Sequence, residues 1–546
     1  MAGTPCFDPS IAAAGTSTLA AWQSIAASDD PARALRGVSG NFAVAIQHRG
    51  RTLLAVDRFA THSLCWRLQN GELRYAERVD QLADTDPALD PQAIFDYLYF
   101  HVIPSPRTIF TGIHRVPAGH CVIHENGHLT VTPYWVPAFT PPQGAVSFSE
   151  LKSEFRALLQ HAVASQLDGS KPACFLSGGT DSSTVAGMVG LAAGRPAASY
   201  SIGFEAEGYD EMAYARIAAK RFGTEHHEYY VTPADLVRSI PDVAAHYDQP
   251  FGNSSAVPAF YCARMAREDG VSRILAGDGG DELFGGNSRY ATQRVFDWYD
   301  AVPGALRSAM EPVFASKLVS GLPLLRKGSS YIGQAKVPMP DRLQTYNLLE
   351  RLGTADVLTP EFLRRVDMQG PSRQQREVWA QADAASMLDR NLAFDWRYTL
   401  AENDLPKVCG TAHLAGIEVG FPLLDRRLLE FSMRLPTHYK LNRLKLRWFF
   451  KEALRGFLPD EILTKKKHGF GLPFGVWALR DEKLNALARD SLGSLATRGF
   501  VRPEFIKTLL DRRLAEHPGY YGEMVWILMM LEQWMQRHSP DYKMDS

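Results

Sequence analysis

A seven-residue string, Ser-Gly-Gly-Thr-Asp-Ser-Ser at positions 177–183, stands between an apolar run and a helical pattern, and it constrains the chain more than any other stretch. The run ACFL before it reads as a buried strand, so the order is strand, turn, helix. Gly178 and Gly179 let the backbone approach an anion with no Cβ in the way, and the N–H groups of a helix start point at phosphate oxygens. Ser177, Ser182 and Ser183 add hydroxyl donors. Asp181 would repel a bare polyphosphate, so its natural role is to hold a Mg²⁺ that bridges to one. The string lacks the lysine of a Walker loop, which favours a grip on pyrophosphate over transfer of a γ-phosphate. The competing reading is a Gly-Ser turn capped by an aspartate or serine; the strand-turn-helix setting weighs against it.

The rest of the chain fits around that loop. At roughly 100–200 residues per domain, 546 residues predict two to four structural units. The stretch before residue 136 is β-rich: FAVAIQH, TLLAVDR, LCWRLQ and LRYAER are short runs broken by RG and NGE turns, and HCVIHENGHLTVTPYW reads as a hairpin. VPAFTPPQGAVSF is the linker candidate. Beyond it, FSELKSEFRALLQHAVASQL has helical spacing, and ASYSIGF, HHEYYV and SRILAG read as strands alternating with helical patterns, which predicts βαβ units and a parallel sheet. From about residue 295 onward the pattern is mostly helical.

A second acidic string, LAGDGGDELFGG, follows the short strand RIL and crowds Asp278, Asp281 and Glu282 into five residues. Adjacent carboxylates repel unless a cation or a proton sits between them, so metal binding or proton transfer is one reading and a solvated acidic turn the other. The only basic run is Lys465, Lys466 and Lys467, and the formal net charge is -1, which gives no sign of nucleic-acid binding. Six scattered cysteines show no metal spacing and fit reduced thiols. With no basic-then-apolar leader and no run near the roughly 18 apolar residues of a span, the sequence predicts a cytoplasmic protein that does not engage a membrane.

These strings resemble the synthetase half of the asparagine synthetase family, whose relatives include β-lactam synthetases and lasso-peptide macrolactam cyclases. The resemblance spans nearly the whole chain. It implies an α/β protein: a β-rich glutaminase-like (Ntn-type) sandwich over residues 1–140, then a parallel-sheet PP-loop ATP pyrophosphatase domain with helical additions over 149–546. SGGTDSS matches the family's ATP pyrophosphate loop, and SIGF resembles the strand that contacts adenine. The implied nucleotide-binding set is Leu176, Ser177, Gly178, Gly179, Asp181, Ser182 and Ser183 with Ile202, Gly203 and Gly277, and the implied Mg²⁺ ligands are Asp181 and Asp281. Asp278 falls where asparagine synthetases carry an acidic residue beside the reacting acyl group. IEVGFPLLD resembles the family's ExRxPxLD segment but has Gly420 in place of the arginine. Counting back from Glu418, Asp404 falls near the carboxylate that pairs with the catalytic base in cyclising relatives, and Cys409 takes a usual aspartate position. KKKHGFGLPFGVW resembles KxGFxxPxxxW and assigns Lys467 to the lysine that offsets transition-state charge; a solvated basic turn is the alternative.

GNFAVAIQ, LLAVDRFATHSLCWR and IFTGIHRVPAGH look like the family's glutaminase half, but in degenerate form. That half opens on a cysteine directly after the initiator methionine, whose α-amine and thiol together split glutamine. Here residue 2 is Ala, Cys6 lies too far in, and the NGEIYN-type loop is missing. The sequence therefore predicts a Mg²⁺- and ATP-dependent, AMP-forming ligase without glutaminase activity. Its carboxylate and amine substrates are small molecules or peptides. Free or partner-supplied ammonia and macrolactam closure both stand as second steps, and a peptide-processing protein or a second copy of the chain stands as partner. A silent nucleotide-binding module is disfavoured because Asp181, Asp281 and Lys467 are all retained. A tRNA-modifying enzyme is disfavoured by the absence of CxxC and of a basic patch.

Overall fold

The computed structural model describes residues 1–13, 15–85, 87–142, 144, 146–300, 302–303, 333–465 and 471–544. Its amino-terminal part builds two antiparallel sheets. The larger has the order β1 (Ala2–Phe7), β2 (Val38–His48), β3 (Arg51–Val56), β7 (His120–Glu125), β8 (His128–Pro133). The smaller has β5 (Glu72–Ala76), β4 (Cys65–Gln69) and β6 (His114–Arg115). Alternation along β2 sorts its side chains to two sides. Phe42, Val44 and Ile46 pack with Trp22 and Ile25 of the helix Thr18–Ala27, while Ala43 joins Leu64, Trp66 and Val116 between the sheets. Arg49-Gly50, Asn70-Gly71 and Asn126-Gly127 all have positive φ and close two-residue hairpins, as the RG and NG strings predict. Strand β1 was not legible from its sequence pattern, because AGTPCF offers no alternation and is held as an edge by its register against β2.

The second half carries a parallel sheet in the order β11 (Glu225–Val231), β10 (Ala198–Phe204), β9 (Ala173–Phe175), β12 (Arg273–Leu275), β13 (Glu418–Gly420). The chain winds outward from β9 through β10 to β11, then crosses back to place β12 on the other side of β9. The sheet's topological switch point therefore lies between β9 and β12, and in open α/β sheets ligands bind outside the carboxyl ends of the strands at that point. The predicted strands ACFL, ASYSIGF, HHEYYV and SRILAG are all present; β13 adds a fifth that is too short for periodicity to reveal.

Packing ties the two parts together. Phe59, Trp135 and Phe139 surround Trp396, with ring centroids 6.3, 6.1 and 5.3 Å away. Phe139 lies in the proline-rich stretch read as a linker, and its N–H donates to the Asp383 carbonyl at 2.9 Å. The helix Pro91–Phe100 shares one core with the carboxy-terminal helix Pro518–His538, whose Ile527 carbonyl accepts the Tyr97 hydroxyl at 2.8 Å. Residues 524–535 of that last helix are all buried, which its apolar character on every side dictates. Among the described residues, no helix is long and apolar enough to cross a membrane.

One charged pair is enclosed in this core. Arg498 Nε donates to Glu532 at 2.6 Å, with side chains 4% and 0% exposed, and the same guanidinium holds the carbonyls of Ser539, Pro540 and Tyr542. Removing one partner strands the other charge, so R498M is expected to cost about 3–5 kcal/mol in denaturant unfolding. Adding E532L is expected to recover much of that loss, and a double variant no better than R498M would contradict the assignment.

Candidate functional site

The turn after β9 is built from its own side chains. The Ser177 N–H donates to Ser182 Oγ at 3.1 Å, the two serine hydroxyls lie 2.9 Å apart, and the Gly179 N–H reaches Ser177 Oγ at 3.3 Å. Gly178 has φ +69 and packs against Tyr214 and Ala215, where a side chain would collide with backbone. Gly179 caps the helix Thr180–Ala193 and, having no side chain, gives it no capping bond. A bare helix start of this kind attracts anions through its unpaired N–H groups and its dipole.

The loop after β12 lies directly against that helix start. A Cβ on Gly277 would come within 2.7 Å of the Ser182 nitrogen, so only glycine lets the two loops meet. The contact brings Asp181 and Asp281, one hundred residues apart in sequence, onto a single guanidinium. Arg447 pairs with Asp181 and reaches Asp281 at 3.0 Å. Burial opposes the Arg447 charge, but the two carboxylates outweigh it and raise its pKa further. The cation stacks over Phe450 at 4.8 Å. Two carboxylates that converge on one positive charge form the oxygen-rich donor set a divalent cation takes.

Asp278 occupies the other side of this loop. Burial pushes its carboxyl up to about 6, Lys407 pulls it down, and Asp404 and Asp181 push it up again. Lys407 donates to Asp404 at 3.1 Å. Burial works against the Lys407 charge, but Asp404 and Asp278 together hold its pKa above the usual value. Asp404 ends a π-helical turn, Trp396–Asp404, an irregularity that often marks functional positions. Cys409 is sequestered close by, its thiol pushed up to about 12 by burial.

One cavity of about 1040 Å³ collects these groups. Of the residues singled out from sequence, Leu176, Ser177, Gly179, Asp181, Ser182 and Ile202 line it, as do Gly277, Asp278, Asp281 and Asp404. Three others stand behind the wall. Gly178 forms the turn, Gly203 packs under the Tyr230 ring, and Ser183 is fully buried with its hydroxyl unpartnered among the described residues. Lys467 lies outside the described residues. Its neighbour Lys465 lines the cavity, ion-paired with Glu211 at 2.8 Å and set over the Tyr214 ring. Sequence reasoning missed Arg447, Lys407 and Lys451, all on the cavity wall. Lys407 follows Asp404 by three residues, a spacing that places both on one helical face and was there to be used. Nothing in RLKLRW separates Arg447 from an ordinary surface cation.

A family model described as asparagine synthase matches residues 154–536, and one described as a glutamine amidotransferase domain matches residues 26–135. Asparagine synthetase [glutamine-hydrolyzing] 1 of Bacillus subtilis (strain 168) is 24% identical over 517 residues, which cover 93% of this chain and 78% of the relative. A putative asparagine synthetase [glutamine-hydrolyzing] 2 of Methanocaldococcus jannaschii is 31% identical over 236 residues, 43% of this chain and 45% of its own length. Amidase chyE of Penicillium rubens is 29% identical over 484 residues, covering 80% of this chain and 70% of the relative. With the synthase model matched across most of its length, on a sheet whose switch point carries the two facing acidic loops, the chain belongs to the asparagine synthase family.

Proposed function

We propose that this chain is an ATP-dependent carbon–nitrogen ligase that activates a carboxylate as an acyl-adenylate and joins it to an amine. The observation that carries the reading is the convergence of Asp181 and Asp281 on one cation beside an uncapped helix start. Asp181 and Asp281 would hold Mg²⁺, which when bound neutralises polyphosphate charge. The 177–183 backbone and the Ser177 and Ser182 hydroxyls grip the β- and γ-phosphates. The adenine end falls toward Ile202, where the cavity wall turns apolar with Phe175, Met212 and Pro258.

In the first step a carboxylate oxygen attacks the α-phosphorus and pyrophosphate leaves with the bonding electrons. In the second an amine nitrogen attacks the acyl carbon, the bond to the adenylate oxygen breaks, and AMP leaves. The attacking ammonium must first lose a proton, and we assign Asp278 as the acceptor. Lys407 and Asp404 position that carboxylate. Arg447, Lys451 and Lys465 on the wall would offset the negative charge that grows at the α-phosphate and the tetrahedral oxygen, a role the family resemblance also gives to Lys467.

The proposal excludes glutamine as this chain's own nitrogen source. Cys65 and Cys121 are buried with thiols pushed up to about 12, so neither supplies a thiolate. Cys6 sits within strand β1, where its backbone nitrogen is bonded into the chain and cannot act as the base an amino-terminal nucleophile uses. All six cysteines are free thiols, which fits work in the reducing cytoplasm.

Two variants separate the steps. D181A is expected to lower substrate-dependent pyrophosphate release at least ~100-fold, as loss of a charge-stabilising group in such a site does. Retained release would refute the role of Asp181. D278N is expected to keep ATP–pyrophosphate exchange while amide formation, followed by mass spectrometry, falls by about 10²–10⁴-fold. Equal loss of both would place Asp278 in activation instead.

A further inference from the structure

A second cavity, of about 490 Å³, adjoins the first across the π-helical turn. Thr399 lines both. Asn403 lines the second and accepts a bond at 2.7 Å from Asn253, which lines the first, while the next residue, Asp404, faces the first. The two spaces thus share a wall one residue thick, on the Asp278 side of the reacting centre.

The chemistry of the second cavity is distinctive. Its lining includes six aromatic rings: Phe100, Phe394, Tyr398 and Tyr99, and Tyr346 and Tyr520, over which the Arg351 guanidinium lies at 5.5 and 5.9 Å. Tyr398 stacks on Phe100 with centroids 5.4 Å apart and leans on Phe394 at 4.7 Å, which makes a rigid aromatic face. Among the described residues, Arg289, His101 and Glu523 are the ionisable side chains other than tyrosines that line it. Arg289 is already neutralised, donating to Asp395 at 3.0 Å and to Thr399 at 2.7 Å. Burial holds His101 down to about 4, so it is uncharged near neutrality. Glu523 has no cationic partner among the described residues, and burial pushes its carboxyl up to about 7 against the opposing bond from the Ser254 hydroxyl. Ser254 lies between Asn253 and Ser255, both on the wall of the first cavity, so Glu523 stands at the inner end of the second, near the shared wall.

Aromatic faces around a lone carboxylate are the surroundings in which an organic cation is bound: the rings attract it through their quadrupoles and the carboxylate through its charge. A cavity of this volume is also far larger than ammonia needs. We propose that the second cavity is the subsite of the amine substrate, that it takes the apolar or aromatic body of an organic ammonium, and that Glu523 draws the cation in before its nitrogen passes Thr399 to reach Asp278 in the first cavity. This rests on the ligase reading above and gives its second substrate a chemical class.

The test is calorimetric titration of the full-length chain with 2-phenylethylammonium chloride, with 2-phenylethanol as the uncharged isostere. Saturable one-to-one binding of the ammonium is expected, at least ~10-fold tighter than the alcohol, the advantage a cation gains from a carboxylate and aromatic faces. E523Q is expected to erase that advantage. Y346A alters a ring 58% exposed at the rim, where folding is not at stake, and is expected to weaken binding several-fold. No saturable binding, equal binding of ammonium and alcohol, or unchanged binding by E523Q would each overturn the proposal. Mg-ATP titrated into the same preparations keeps the two readings apart: it should bind wild type and both variants alike. A chain that takes the ammonium but not Mg-ATP sustains the subsite and contradicts the ligase.

Discussion

The site depends on a like-charge problem and its solution. Asp181 and Asp281 come from different loops, and each would repel the other unless a cation stood between them. Arg447 is that cation, nearly buried and held in a left-handed backbone conformation at φ 54. The requirement explains the glycines nearby. A side chain on Gly280 would run into Asp181 and one on Gly286 into Asp281, so the carboxylates pack on bare backbone. A guanidinium that satisfies two acids in this way keeps the site assembled, and it reserves a place for positive charge where a polyphosphate and its metal would meet the protein.

The amino-terminal sheets bear on the site through packing. Trp396 stands at the centre: three aromatic residues from the first 140 positions surround its ring, while its indole N–H donates to the Glu282 carbonyl at 2.9 Å, inside the second acidic loop. Glu402, in the same π-helical turn, pairs with Arg115 and accepts the Ser105 hydroxyl. The turn that carries Thr399 and Asp404 is therefore clamped between the two parts of the chain. On this view the amino-terminal sheets have a structural task, which is to hold the turn dividing the two cavities.

Much of this was readable in the residues, for reasons that differ by element. SGGTDSS was legible because a phosphate grip needs small residues, a helix start and an acid in fixed order. ASYSIGF was legible because a buried parallel strand is apolar and β-branched or aromatic, and HHEYYV, the half-exposed edge strand, because of its tyrosine and valine run. The hairpins were legible because two-residue turns demand Arg-Gly or Asn-Gly at positive φ. The remainder was hidden because it is set by distant contacts. Arg447 gains its role only when the 285 and 447 backbones meet, with its N–H bonded to the Gly285 carbonyl at 3.1 Å. Lys407 becomes part of a triad only once Asp278 arrives from another strand. The second cavity draws on segments from residue 99 to residue 523, and no local pattern foretells such a space.

The central claim is that the turn at 177–183 and the paired aspartates receive the inorganic leaving group of ATP. A crystal structure of the chain with Mg²⁺, AMP and pyrophosphate tests it most directly. Pyrophosphate on the amides of that turn, with density for a cation between Asp181 and Asp281 and Arg447 moved onto the phosphate, is the predicted result. An empty turn with the Arg447 bridge intact and the nucleotide bound elsewhere would contradict it.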